Sequence, residues 1–99
     1  MPVRIDRKTD ENNEEVAWLC DDEWELPTQL ETFEKWLKEK GQNLSKDTYV
    51  ADVGFSPRSN ACGGGGVIST ESMQIMVSIG MELFLSEYPE MVEEESNNE

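Results

Sequence analysis

The stretch PTQLETFEKWLKEKGQNLSKDTYVADVGF, residues 27–55, changes its hydrophobic period once, and that change decides the fold class. In its first half Leu30, Phe33 and Leu37 recur at i, i+3 and i+7, with Trp36 widening the apolar stripe, which is the spacing of an amphipathic helix. Thr28 is a natural N-cap, Glu31 three residues on completes a capping box, and Pro27 stands before the cap. Glu31–Lys35 and Glu34–Lys38 are i, i+4 pairs in the favourable order. Lys38 and Lys40 suit the negative end of the helix dipole, and Gly41 supplies a left-handed stop. The spacing therefore predicts a helix over 28–40. From Tyr49 the period drops to two, placing Tyr49, Ala51, Val53 and Phe55 on one face of a strand.

Working outward, three further short apolar runs read as strands: Val16–Cys20, Gly66–Ile68 and Met81–Leu85. A second helix fits Thr70–Ile79, capped by Ser69 or Thr70, with Glu71 near its positive end and Gly80 as its stop. Met73, Met76 and Val77 make its expected apolar stripe. The predicted order is β-α-β-β-α-β, an α+β fold in which a small antiparallel sheet of about four strands carries two helices on one face. Residues 1–14 read as a basic arm or an added edge strand, and residues 15–90 as a single α+β domain. Residues 91–99, MVEEESNNE, have almost nothing apolar to bury and read as a disordered acidic tail.

Composition narrows the function. The 99 residues include 22 acidic and 8 basic side chains, a formal net charge of −14, and no histidine. A surface this negative repels phosphates, so direct nucleic-acid binding is excluded, as is an anionic membrane surface. The lack of histidine removes the usual neutral-pH general base and the commonest metal ligand. No apolar leader or membrane-length stretch is visible, so the expected setting is cytoplasmic. There Cys20 and Cys62, 42 positions apart and outside any CxxC pattern, are expected as free thiols.

The charge is blocked. Residues 1–9 sum to +2, residues 10–26 to −8 with no base among them, residues 27–50 to zero, residues 51–81 to −1 and residues 82–99 to −7. Three chemical readings of the motifs fail. The glycines of 63–66 are followed by no lysine, and Val67 and Ile68 separate them from the helix, so they form a flexible connector and not a phosphate loop. Asp21, Asp22, Glu23 and Glu25 do not keep the spacing of a calcium loop. No nucleophile–base constellation exists, and a chain this small leaves little room for a carboxylate-lined sugar cleft. Neither an enzyme nor a metal or cofactor site is expected.

What remains is a binding surface. In Cys20-Asp21-Asp22-Glu23-Trp24-Glu25 an aromatic ring stands within a field of carboxylates, the composition of an interface aimed at Arg and Lys. Asp21, Asp22, Glu23, Trp24 and Glu25 are the candidate partner-binding residues, with Glu14, Glu15, Glu87 and Glu90 as rim charge. A solvated acidic turn with Trp24 packed on the sheet has about equal standing. Trp18, Trp36, Met73, Met76 and Met81 are read as core.

The run GGGGVISTESMQIMVSIGMELFLSEYP, residues 63–89, resembles the closing strand–helix–strand of small bacterial proteins that serve as immunity partners of toxins. Val67, Ile68, Ser69, Glu71, Gly80 and Tyr88 stand at the positions that carry the likeness, which covers the last third of the chain. These residues are structural, so the resemblance implies a fold more than an activity, and no functional residue is carried over. The expectation is an acidic stoichiometric inhibitor, immunity-type or phage-encoded. Its partner would be a basic protein surface, on a nuclease toxin or a nucleic-acid-binding protein. The alternative is a small non-enzymatic adaptor or complex subunit that binds through a sheet edge.

Overall fold

The structure, a computed structural model, describes residues 3–20, 22–57, 62 and 65–88. Six main elements follow one another: β1 (Val3–Lys8), β2 (Asn13–Leu19), α1 (Leu26–Glu39), β3 (Tyr49–Phe55), α2 (Thr70–Ile79) and β4 (Met81–Glu87), with a 3-10 turn over Gly41–Asn43. The α+β class, the four strands and the two helices agree with the expectation. The order of the elements and one strand pairing do not.

The N-terminal segment is neither an arm nor an edge. β1 lies inside the sheet, whose order is β2-β1-β3-β4, and pairs antiparallel with both neighbours. Val3 and Ile5 alternate with Arg4 and Asp6, so the strand puts two fully buried side chains on the helix-covered face and Arg4 and Asp6 on the opposite one, while Arg7, in register with Tyr49, ends the buried row. β1 and β2 form a hairpin across Thr9–Asn12, where the Thr9 N–H donates to the Asn12 carbonyl at 3.0 Å.

β4 runs parallel to β3, which makes the sheet mixed where an antiparallel one was expected. The cause is the crossover. The chain leaves the C-terminal end of β3, and α2 carries it back so that Met81 enters beside Tyr49. Gly66–Ile68, expected as a strand, is irregular chain leading into α2. Gly80 makes the turn possible. It ends α2 at φ 85° with its N–H donating to Met76, and a Cβ there would collide with the Asp47 carbonyl.

Both helices lie on one face and share one core with the sheet. Leu30, Phe33 and Leu37 of α1 and Ile75, Met76 and Ile79 of α2 close over Val3, Ile5, Ala51 and Val53. α2 spans the residues predicted, with the Ser69 hydroxyl accepting from the Ser72 N–H at 3.1 Å. Its rotation differs from the reading, because Met73 and Val77 point to solvent while Ser72 turns inward beside Met76. α1 begins earlier than the capping box implied. Its N-cap is Glu25, which makes no side-chain cap bond, and Pro27 occupies the first turn, where the missing N–H costs nothing. The predicted tail 91–99 lies outside the described residues.

Candidate functional site

Because β2, β3 and β4 all point the same way, their C-terminal ends share one end of the sheet with the N-termini of both helices. The chain between β2 and α1 crosses this end. Cys20 takes φ 58°, in the left-handed region, and its carbonyl accepts from the Glu23 N–H at 3.2 Å, so the chain turns sharply there. Three bonds then fix the segment. The Trp24 carbonyl accepts from the Ser56 N–H at 2.9 Å. Buried Gln29 bridges Glu23 and Gly54 by donating from Nε2 to both carbonyls, at 2.6 and 2.7 Å. Trp24 meets Tyr88, just past β4, edge to face, with centroids 5.8 Å apart and an interplanar angle of 86°.

Around that aromatic pair stand Asp22 and Glu25, both exposed, half-buried Glu23, and exposed Glu87. Glu23 also accepts from the Glu25 N–H through Oε2 at 3.1 Å, so one of its oxygens braces the turn. Among the described residues none of these four carboxylates is in an ion pair. Of the four, Glu25 is the N-cap residue of α1, where the partial positive charge of the helix end favours a carboxylate. Asp21 and Glu90 lie outside the described residues.

Glu14 and Glu15 do not join this group. They sit near the start of β2, at the other end of the sheet, roughly 15 Å of strand from Leu19 at about 3.3 Å per residue. Glu14 is already engaged. The Arg7 guanidinium reaches Glu14 at 2.6 Å and Asp47 at 3.1 Å, tying β2 to the loop before β3. The Thr48 N–H and Arg7 together hold the Asp47 carboxyl below its ordinary value.

A second surface was not foreseen. The sheet face away from the helices carries the cross-strand row Trp18–Arg4–Asp52–Phe84, one residue from each strand. Trp18, expected in the core, is 40% exposed there. The reason is a bulge between Ile5 and Asp6 on the β1–β2 ladder, after which Ala17 and Leu19 face the core and Trp18 faces out. Arg4 lies over the Trp18 ring at 5.7 Å and bonds Asp6 at 3.0 Å; the Ser86 hydroxyl donates to Asp52 at 2.6 Å. The signal missed was the register, since an apolar run containing one Trp reads as core until the bulge is known.

The N-terminus of α2 does not offer an open anion site. Glu34 of α1 fills it, accepting from the Ser69 N–H at 2.5 Å. Burial raises the Glu34 carboxyl, but the Ser69 N–H, the Ser72 and Ser69 hydroxyls and Lys38 outweigh it and hold the group below its usual range. Among the described residues, no group of three Cys, Asp or Glu side chains could hold a metal ion, and no helix is long and apolar enough to cross a membrane. Cys20 and Cys62 are free thiols, the first half-buried and the second exposed. No protein-family model matches the chain, and no curated protein or solved structure matches it.

Proposed function

We propose that the chain acts by binding and not by catalysis. In this reading it is an acidic stoichiometric inhibitor, of the immunity or phage-encoded kind, working in the cytoplasm. It occupies the basic surface through which its target, a nuclease toxin or another nucleic-acid-binding protein, otherwise holds nucleic acid. The observation that carries this reading is the end of the sheet where Asp22, Glu23, Glu25 and Glu87 surround the Trp24–Tyr88 pair. Carboxylates there steer a cationic partner and accept Arg side chains, while the aromatic pair supplies contact area that can be desolvated. The bonds to Ser56 and Gln29 hold the segment in place before binding, which limits the entropy lost on association.

The test is stopped-flow association with the basic protein that the chain retains from its native host. Asp22→Asn, Glu23→Gln and Glu25→Gln combined should slow association and flatten its dependence on salt. Trp24→Ala, in a variant that melts like the parent, should speed dissociation and weaken binding by about 2 kcal/mol. An unchanged rate and salt slope in the triple variant would refute the reading. A non-enzymatic adaptor or complex subunit that binds through a sheet edge has separate support in β4, whose outer side pairs with no strand among the described residues.

A further inference from the structure

We propose that the free edge of β4 accepts an extended segment of a partner protein as a fifth strand, and that this segment carries Lys or Arg on both sides of an apolar centre. The inference rests on the edge-binding reading and not on residues 22–25, so either can fail without the other.

The backbone is presented for it. The Tyr49 N–H donates to the Gly80 carbonyl at 3.1 Å and the Tyr88 N–H to the Phe55 carbonyl at 2.9 Å. Strand alternation between those two bonds turns the N–H and C=O of Glu82, Phe84 and Ser86 toward β3, and those of Leu83, Leu85 and Glu87 toward the open edge. Side chains on both faces of that edge are apolar and uncovered, with Phe84 48% and Leu85 57% exposed. Above the strand, Lys38 meets Glu71 at 3.3 Å and so identifies the flank of α2 that faces α1. Met73 and Val77 lie on the opposite flank, at 44% and 75% exposure, and extend the apolar surface beside β4.

Among the described residues no strand covers this edge. Met81–Glu87 contains no Lys, no Pro and no bulge, the usual devices against strand addition.

Charge selects the occupant. Glu82 and Glu87 bracket the apolar centre, and residues 59–99 contain no lysine or arginine at all. A second copy paired antiparallel over the full strand would set Met81 against Glu87 and Glu82 against Ser86, so each end would gather a Glu82 and a Glu87 at neighbouring positions, with no cation to answer them, between two chains of net charge −14. A segment with a cation at each end answers both carboxylates and still donates and accepts the main-chain bonds of strand addition.

The experiment titrates the full chain with a ten-residue peptide of alternating Val and Thr bearing Lys at both ends. Its controls are a Glu-ended twin and a version N-methylated at every second residue. The Lys-ended peptide should bind, and the twin and the N-methylated form should each lose about tenfold or more in affinity. Combined Glu82→Lys and Glu87→Lys should exchange the preference between the two peptides. Leu85→Pro removes only an outward-facing N–H, which an edge strand tolerates, so it should keep the circular dichroism of the parent and lose the peptide. Should that variant fail to fold, the N-methylated peptide still decides. Affinity indifferent to N-methylation and to charge exchange would overturn the proposal. Sedimentation of the free chain as a β4-mediated dimer would also overturn it, by giving the edge to a second copy.

Discussion

Among the described residues β2 and β4 each leave one side of the backbone without a partner strand, yet their chemistry differs. β2 opens with Asn13, Glu14 and Glu15, all exposed, and is interrupted by a bulge. One of these carboxylates, Glu14, is paired with Arg7 of β1. β4 keeps an unbroken register of seven residues against β3, with Leu83, Phe84 and Leu85 in sequence at its centre. A strand that must stay alone is protected by charge and irregularity, and β2 has both. β4 has charge only at its flanks. Two edges of one sheet therefore have opposite expected fates, solvent for one and a partner for the other.

The contrast breaks most completely if β4 is detached. Gly80→Ala forces a side chain into a left-handed position against the Asp47 carbonyl. It should lower stability by about 2 kcal/mol or more, read by chemical denaturation, and expose the edge of β3. An unaffected midpoint would mean that the α2–β4 turn can be rebuilt without glycine.

A smaller loss is expected from Glu34→Ala, which removes the carboxylate at the N-terminus of α2 and loosens the helix that lies over β4. The expected cost is about 1 kcal/mol, the usual scale of a charged group at a helix end. The same contact makes a pH prediction. Glu34 and Asp47 have folded values below their unfolded ones, so their contribution is present above about pH 4.5 and is lost as pH falls through the folded values. Thermal midpoints measured downward from neutrality should fall in that acid range, and Glu34→Gln should flatten the fall.

The smallest effect on stability should come from the guarded edge. Glu14→Thr with Glu15→Thr removes an exposed ion pair and should change stability by less than about 1 kcal/mol. Its consequence is association, because it strips the charge that keeps β2 from pairing. Sedimentation should show self-association in this variant that the parent lacks. A monomeric variant would assign the protection to the bulge alone.

How much of this was readable depended on whether local chemistry was enough. α2 was legible to the residue because Ser69 and Gly80 each impose a backbone conformation at its ends. The helix period of α1 was legible too, but its start was not. Thr28 and Glu31 form a plausible cap, and nothing local shows that Leu26 and Pro27 already sit in the first turn. β1 read as an appendage because four of its six residues are charged. In a two-layer fold Arg4 and Asp6 take the uncovered side of an interior strand, and Arg7 pairs with Glu14 and Asp47 at the strand's end. The acidic run was visible as charge, but the pairing of Trp24 with Tyr88 joins residues 64 positions apart. The separation of Glu14 and Glu15 from the rest needed the direction of β2.

The parallel pairing of β3 with β4 also orders events in time. The β1–β2 hairpin closes over the four residues between Lys8 and Asn13, whereas β4 can meet β3 only after residues 56–80 have been made and folded back. Throughout that interval β3 is itself the outermost strand, with Val50 and Val53 lacking their final neighbour. On the ribosome, the growing chain therefore passes through a three-stranded stage whose vulnerable border is not the one the finished molecule displays.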